Sequence, residues 1–221
     1  MTAAEYIAAA VARSYRNRGE VLAADVPEVL ARLSRQFRHY YALAAGLEAA
    51  ALTRLSAMAW SAGNSNWPLP TDVDTIHHLE QGGRPVYVVP FSDRMDAEPS
   101  EPCVYRVGRA IYPAGNSTDP TAVAMRVLYT PTPSDFAAVG DSPGAEWPLN
   151  FDPMVVVDLA LWYAQKDGRA DDVAAFGAEL QEWRGLWEEW CGRNTVPTIK
   201  RFGMPTQVPS STVTSIGVRR G

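Results

Sequence analysis

Cysteine and histidine are scarce in this chain, with two cysteines (Cys103, Cys191) and three histidines (His39, His77, His78) among 221 residues. Two isolated cysteines give neither a disulfide framework nor a pair at zinc-finger spacing, and both fall in segments that read as a strand and a helix end, where buried thiols are expected. His39 lies on a helix crowded with Arg32, Arg35 and Arg38 and reads as a surface residue. Adjacent His77 and His78 on a strand project to opposite faces, so they do not jointly hold one ion, although Glu80 shares a face with His78. Long apolar runs are also missing. The most apolar stretch, Met154 to Ala164, is broken by Asp158 and falls short of the roughly 18 residues that a bilayer requires. The opening residues Thr2, Ala3, Ala4 and Glu5 carry no basic region followed by an apolar one, so no secretory leader is expected and the chain is placed in a cytoplasm.

The signatures of common chemistry are absent as well. No glycine-rich loop is followed by Lys-Ser or Lys-Thr; Gln81 to Arg84 and Gly140 to Gly144 lack the spacing and the helix start of a phosphate cradle. No Gly-x-Ser-x-Gly elbow occurs. Glu179, Glu182, Glu188 and Glu189 are numerous enough for paired acid and base work, but their helical spacing makes them a solvated face. The reading is of a protein with no catalytic residue, no metal site and no cofactor, whose function lies in its surfaces.

What is present is a hydrophobic fraction of 47%, enough for a sizeable core, and an uneven charge. From Asp141 to Glu189 eleven acidic residues stand against three basic ones, a net charge of −8, whereas Arg193 to Gly221 has no acidic residue and a net +5. Apolar periodicity predicts helices over residues 3–18, 26–60, 152–167 and 171–192. Pro27 suits a helix first turn, Asp152 is a candidate N-cap with Pro153 just inside, and Gly19 and Gly168 are stops. Gly46 is a candidate bend in the second helix, which Leu52, Leu55 and Ala59 carry toward Trp60. Residues 61–70 read as a loop. Short Val-, Ile- and Tyr-rich runs between 75 and 130 predict an antiparallel meander of four or five strands, with turns at Gly82-Gly83 and Gly108. The expected fold is α+β: N- and C-terminal helices make one helical core, a small sheet is inserted, and residues 1–194 form a single domain.

Two sets of residues stand out. Val173, Phe176, Leu180, Trp183, Trp187 and Trp190 recur every three or four residues, the packing seam of a helical hairpin rather than a cage for a cation. Beyond Asn194 the prolines at 197, 205 and 209 forbid a helix, yet the segment is too apolar to be a solvated linker. Its Ile199, Phe202, Met204, Val208, Val213, Ile216 and Val218, with Lys200, Arg201, Arg219 and Arg220, are expected to bind another chain as an extended arm over 195–221.

The order of these features carries a resemblance. Trp67-Pro68-Leu69-Pro70 leads into the strands, Arg126 to Pro133 reads RVLYTPTP, Trp147-Pro148-Leu149 follows an acidic loop, and Phe151 to Tyr163 runs into an Asp-Gly break at Asp167 and Gly168 before the last helix. From about Val26 to Arg193 this resembles the head-to-tail adaptor proteins of tailed bacteriophages. In that family a Leu-Pro step enters the sheet, a Leu-x-Tyr-x-x-x-Pro-like strand leaves it, and a helical hairpin with a Gly-Asp break follows. Here Trp-Pro-Leu replaces the plain Leu-Pro, and Asp167-Gly168 inverts the break. The resemblance implies a closed ring, usually twelvefold, docked beneath the portal above a tail or stopper protein, with its bore continuing the DNA channel and a C-terminal arm reaching the portal. It places the protein at the head–tail interface of the virion, after assembly in the host cytoplasm. Two other readings compete with it: a tail-accessory hydrolase of cell-wall glycan, which a zymogram reveals, and a free cytosolic interaction module, which presence in virions excludes.

Overall fold

A computed structural model describes residues 1–14, 25–95, 102–115 and 124–195. Helix α1, Ala3–Ser14, starts at a capping box: the Thr2 amide donates to Glu5 Oε2 at 2.7 Å, and the Glu5 amide to Thr2 Oγ1 at 3.4 Å. It buries Tyr6, Ile7, Ala10 and Val11. The expected continuation to residue 18 and the stop at Gly19 lie outside the described residues.

Helix α2, Val26–Gly46, buries Val29, Leu30, Leu33, Phe37, Tyr40, Tyr41, Ala44 and Ala45, a stripe at the expected spacing. It does not run on to residue 60. Glu48 turns the chain at φ 53°, and the Ala49 amide reaches back to Ala44 O at 3.0 Å, closing the helix. Strand β1, Arg54–Met58, follows and pairs antiparallel with β8, Met125–Pro131, from Arg54 opposite Tyr129 to Met58 opposite Met125. Leu52, Leu55 and Met58 fit a helical period as well as a strand. Pairing with residues some seventy positions away decides between them, and no local pattern carries that information.

The strand region is two sheets rather than one meander. Strands β3, Val73–Gln81, and β4, Arg84–Pro85, join β1 and β8 in the order β1-β8-β3-β4. Strands β2, Trp67–Pro68, β5, Tyr87–Val88, β6, Cys103–Val107, and β7, Ala110–Pro113, form the second sheet in the order β2-β7-β6-β5, with β5 and β6 parallel. Residues 67–68, expected in a loop, are a strand whose Trp67 is wholly buried. Both expected turns are present. Gly82 and Gly83 take φ 61° and 76°, the pair of positive values that a tight antiparallel hairpin requires, and Gly108 takes φ 57° between β6 and β7.

Helix α3, Asp152–Lys166, is buried along most of its length and packs against α1, α2 and α4, Ala170–Arg193. Gly168, at φ 68°, makes the turn between α3 and α4. Two apolar cores result. One joins the four helices around Phe37, Tyr40, Trp147, Met154 and Trp187; the other fills the sheets around Met58, Trp67, Leu79, Ile111 and Met125. The first confirms that N- and C-terminal helices share one core with the strands inserted between them in sequence.

His77 sits at an irregularity in β3, where pairing with β8 shifts between Ile76 and His78. Its Nε2 is 2.7 Å from Thr130 Oγ1. Burial lowers its pKa from the usual 6.5. A histidine held neutral in the folded state contributes stability above pH 6.5, and that contribution fades as pH falls from 6.5 through the lowered folded value, because only the unfolded chain takes up the proton readily. Thermal melts across pH 7.5 to 5.5 are expected to show a decline that is smaller in His77→Gln; equal slopes in the two proteins would remove His77 from the account.

Candidate functional site

Three arrangements on the helical body bear on function. The first is aromatic. Trp187 is fully buried, with its ring 5.1 Å from Trp147, 4.9 Å from Phe151, 5.3 Å from Trp190 and 6.2 Å from Tyr40. Within the predicted stripe Leu180 is also buried, while Val173, Phe176, Trp183 and Trp190 are only half-buried, so the seam is deep at one turn and open along its edge. Trp147 itself packs edge-on to Phe37 at 4.7 Å. It stands in a proline-rich acidic loop that turns inward there and again at Phe151, both of them buried.

The second arrangement is a pair of buried carboxylates on α3. Asp152 is not the cap that its position suggests, because it is itself helical at φ −53° and ψ −41°. It accepts instead from the Tyr6 hydroxyl, from Trp147 Nε1 at 3.0 Å and from the N-terminal ammonium at 3.3 Å. Asp158 accepts from the Tyr40 hydroxyl at 2.7 Å and from Arg32 at 2.8 Å. Burial first, and the hydrogen-bonded carboxylate second in the case of Tyr6, raises the pKa of both tyrosines well above the phenolic range, so they remain donors. The two carboxylates thereby tie α1 and α2 to α3. Cys191 is buried in the same core and its thiol is pushed up to about 12, chiefly by burial and then by Glu188, which leaves it unreactive at neutral pH.

The third arrangement joins the two cores. Arg54, at the start of β1, reaches Asp72 at 2.6 Å on one side and both oxygens of Glu146 at 2.9 and 3.0 Å on the other. Tyr41 of α2 donates to Glu146 at 3.0 Å, and Tyr129 of β8 donates to Asp72 at 3.0 Å. One guanidinium fork thus fixes the sheets against the helices, an arrangement for which the planar donors of arginine are suited.

Among the described residues no group of three His, Cys, Asp or Glu side chains converges to hold a metal ion, and no helix is long and apolar enough to cross a membrane. The predicted arm residues, Ile199 to Arg220, lie outside the described residues. The root of the arm is described: Thr195 pairs antiparallel with Ala49, and the Ala50 amide donates to Asn194 O, so the chain leaves α4 beside the α2–β1 connection, at the meeting of the two cores.

Asp152, Asp158, Arg54 and Glu146 are thus engaged in ties within the body, and charge is divided between an acidic body and a basic extension. In a comparison with protein families, the family described as SU10 adaptor protein matches residues 1–190, and the chain belongs to that family. It is a bacteriophage structural adaptor, a role that implies virion location, interaction with other head–tail proteins and no enzymatic activity. No curated protein matches the chain.

Proposed function

We propose that this chain is one subunit of a closed, twelvefold adaptor ring seated beneath the portal, with a tail or stopper protein below it and the DNA channel continuing through its bore. The observation that carries the reading is the family match over residues 1–190, which ends within the last turns of α4 and just short of the arm. Body and arm then have separate tasks: residues 1–194 build the ring, and residues 195–221 engage the portal as an extended segment. The arm is basic and apolar, and its root is held at a fixed place on the body by Thr195 and Ala49. An acidic body suits a channel through which DNA passes without being held, because attraction to phosphates would retain it.

Removal of residues 195–221 is expected to leave the melt of the body unchanged, because α4 and both cores are retained, and to abolish or strongly weaken docking to portal-bearing heads. Charge reversal at Lys200 and Arg201 is expected to weaken docking less, and more so at low salt, since peripheral charges act mainly on association rate. Co-sedimentation of full-length and truncated protein with such heads measures this. Equal co-sedimentation of the two proteins moves the portal contact from the arm to the body.

A further inference from the structure

Two faces of the body are uncovered among the described residues. The first is a groove of about 730 Å³ between the N-terminal half of α2 and residues 135–139, walled by Leu30, Ala31, Phe136 and Val139. Arg35 and Arg38 stand at its rim; Arg38 is bridged to Asp135, whereas Arg35 is exposed and makes no ion pair among the described residues. The second is the outward face of α4. There Leu186 is 51% exposed, with exposed Glu182 one turn before it. Gly185 and Gly192, seven residues apart, share that face, and nothing lies within 4 Å of where a Cβ would stand on either.

Those two glycines weaken α4 and serve no close contact among the described residues. A helix gains from glycine at an exposed position when another backbone must come close. The charges identify which. The groove rim is basic and the α4 face is acidic, and neither Arg35 nor Glu182 makes an ion pair among the described residues. The arm suits the groove less well, because its charges, Lys200, Arg201, Arg219 and Arg220, have the same sign as Arg35 and Arg38. A ring needs two different faces that fit each other, and these lie on separate helices packed on α3.

We propose that the outward face of α4 in one copy docks on the α2 groove of the next, with Leu186 seated against Leu30, Phe136 and Val139, and Glu182 meeting Arg35. The inference rests on the ring reading above and assigns its subunit contact. It places Ala31 of one copy beside Gly185 of its neighbour.

The test uses full-length protein assembled into particles, carrying Ala31→Cys, Gly185→Cys or both; the native Cys103 and Cys191 are buried. On mild oxidation the double variant is expected to give a ladder of covalent multimers on a denaturing gel. A mixture of the two single variants is expected to give a dimer, and neither single variant alone to give one. Glu182→Arg is expected to lower the yield of the ladder roughly tenfold, and Arg35→Glu in the same chain to restore it. Particles that show a ring of this protein but yield no ladder overturn the contact and leave the ring standing. Absence of any such ring overturns both. A dimer from either single variant alone, or a cross-link from Ala31→Cys to a protein of another size, overturns the contact as well.

Discussion

Trp187→Ala is expected to lower the unfolding free energy by about 3–5 kcal/mol, as truncation of a fully buried aromatic side chain does. The indole has no exposed surface and meets rings from α2, from the segment before α3 and from α4 itself, so its loss opens a cavity where three elements converge. The surrounding rings are large and locked against one another, which leaves little scope for collapse into the space. Trp183→Ala is expected to cost clearly less, because Trp183 keeps part of its surface in solvent and its nearest ring, Phe151, is 6.4 Å away. Chemical denaturation of the two variants decides the order. The reverse ranking would place the centre of the seam one turn earlier on α4. Because Trp187 Nε1 is buried and has no hydrogen-bond partner among the described residues, Trp187→Phe removes volume but no hydrogen bond and is expected to be much milder than Trp187→Ala.

The second large effect belongs to Asp158. Its carboxylate is almost wholly buried and holds both the Tyr40 hydroxyl and Arg32. Asp158→Ala leaves a buried hydroxyl without its acceptor and a half-buried guanidinium without its counter-charge, an expected loss of about 3 kcal/mol. Partial exposure of Arg32, at 31%, keeps the figure at the lower end for a broken buried pair. Asp158→Asn keeps one acceptor and the shape of the side chain, so it should lose about half as much. A double-mutant cycle with Tyr40→Phe measures the coupling directly. Additive losses in that cycle would show that the hydroxyl contributes nothing through the carboxylate.

The parts of this fold that were legible in the sequence are those set by neighbours along the chain. The stripes of α1 and α2, the hairpin glycines at 82–83 and 108, and the stop at Gly168 all announce themselves within a few residues. The features that were not legible depend on distant partners. Residues 54–58 were expected in a helix because Leu52, Leu55 and Ala59 fit a helical period, and only pairing with β8 makes them a strand. Asp152 looked like a cap because Asp before Pro usually is one, and it became a buried acceptor because Tyr6 arrives from the other end of the chain. Neither Arg54 nor Glu146 carried any local mark of the joint that they form across 92 positions. The α4 seam had its period visible from the start, but the burial that ranks its members depends on Trp147 and Phe151.

The pairing of α1 with α3 sets an order on synthesis. Residues 3–14 are synthesised before the strands, yet the helix on which they mainly pack ends at Lys166, so the strands that intervene are complete before that partner is. Until then Tyr6, Ile7 and Val11 have only the slighter contact with α2, where the Tyr6 ring lies 5.7 Å from Phe37, and the contact of α1 with α3 is among the last in the body to form. A chain stopped short of α3 therefore lacks most of its helical core. The ties that Asp152 and Asp158 make to Tyr6 and Tyr40 thus form only once α3 has been made, and the connectivity of the fold itself sets when the helical body closes.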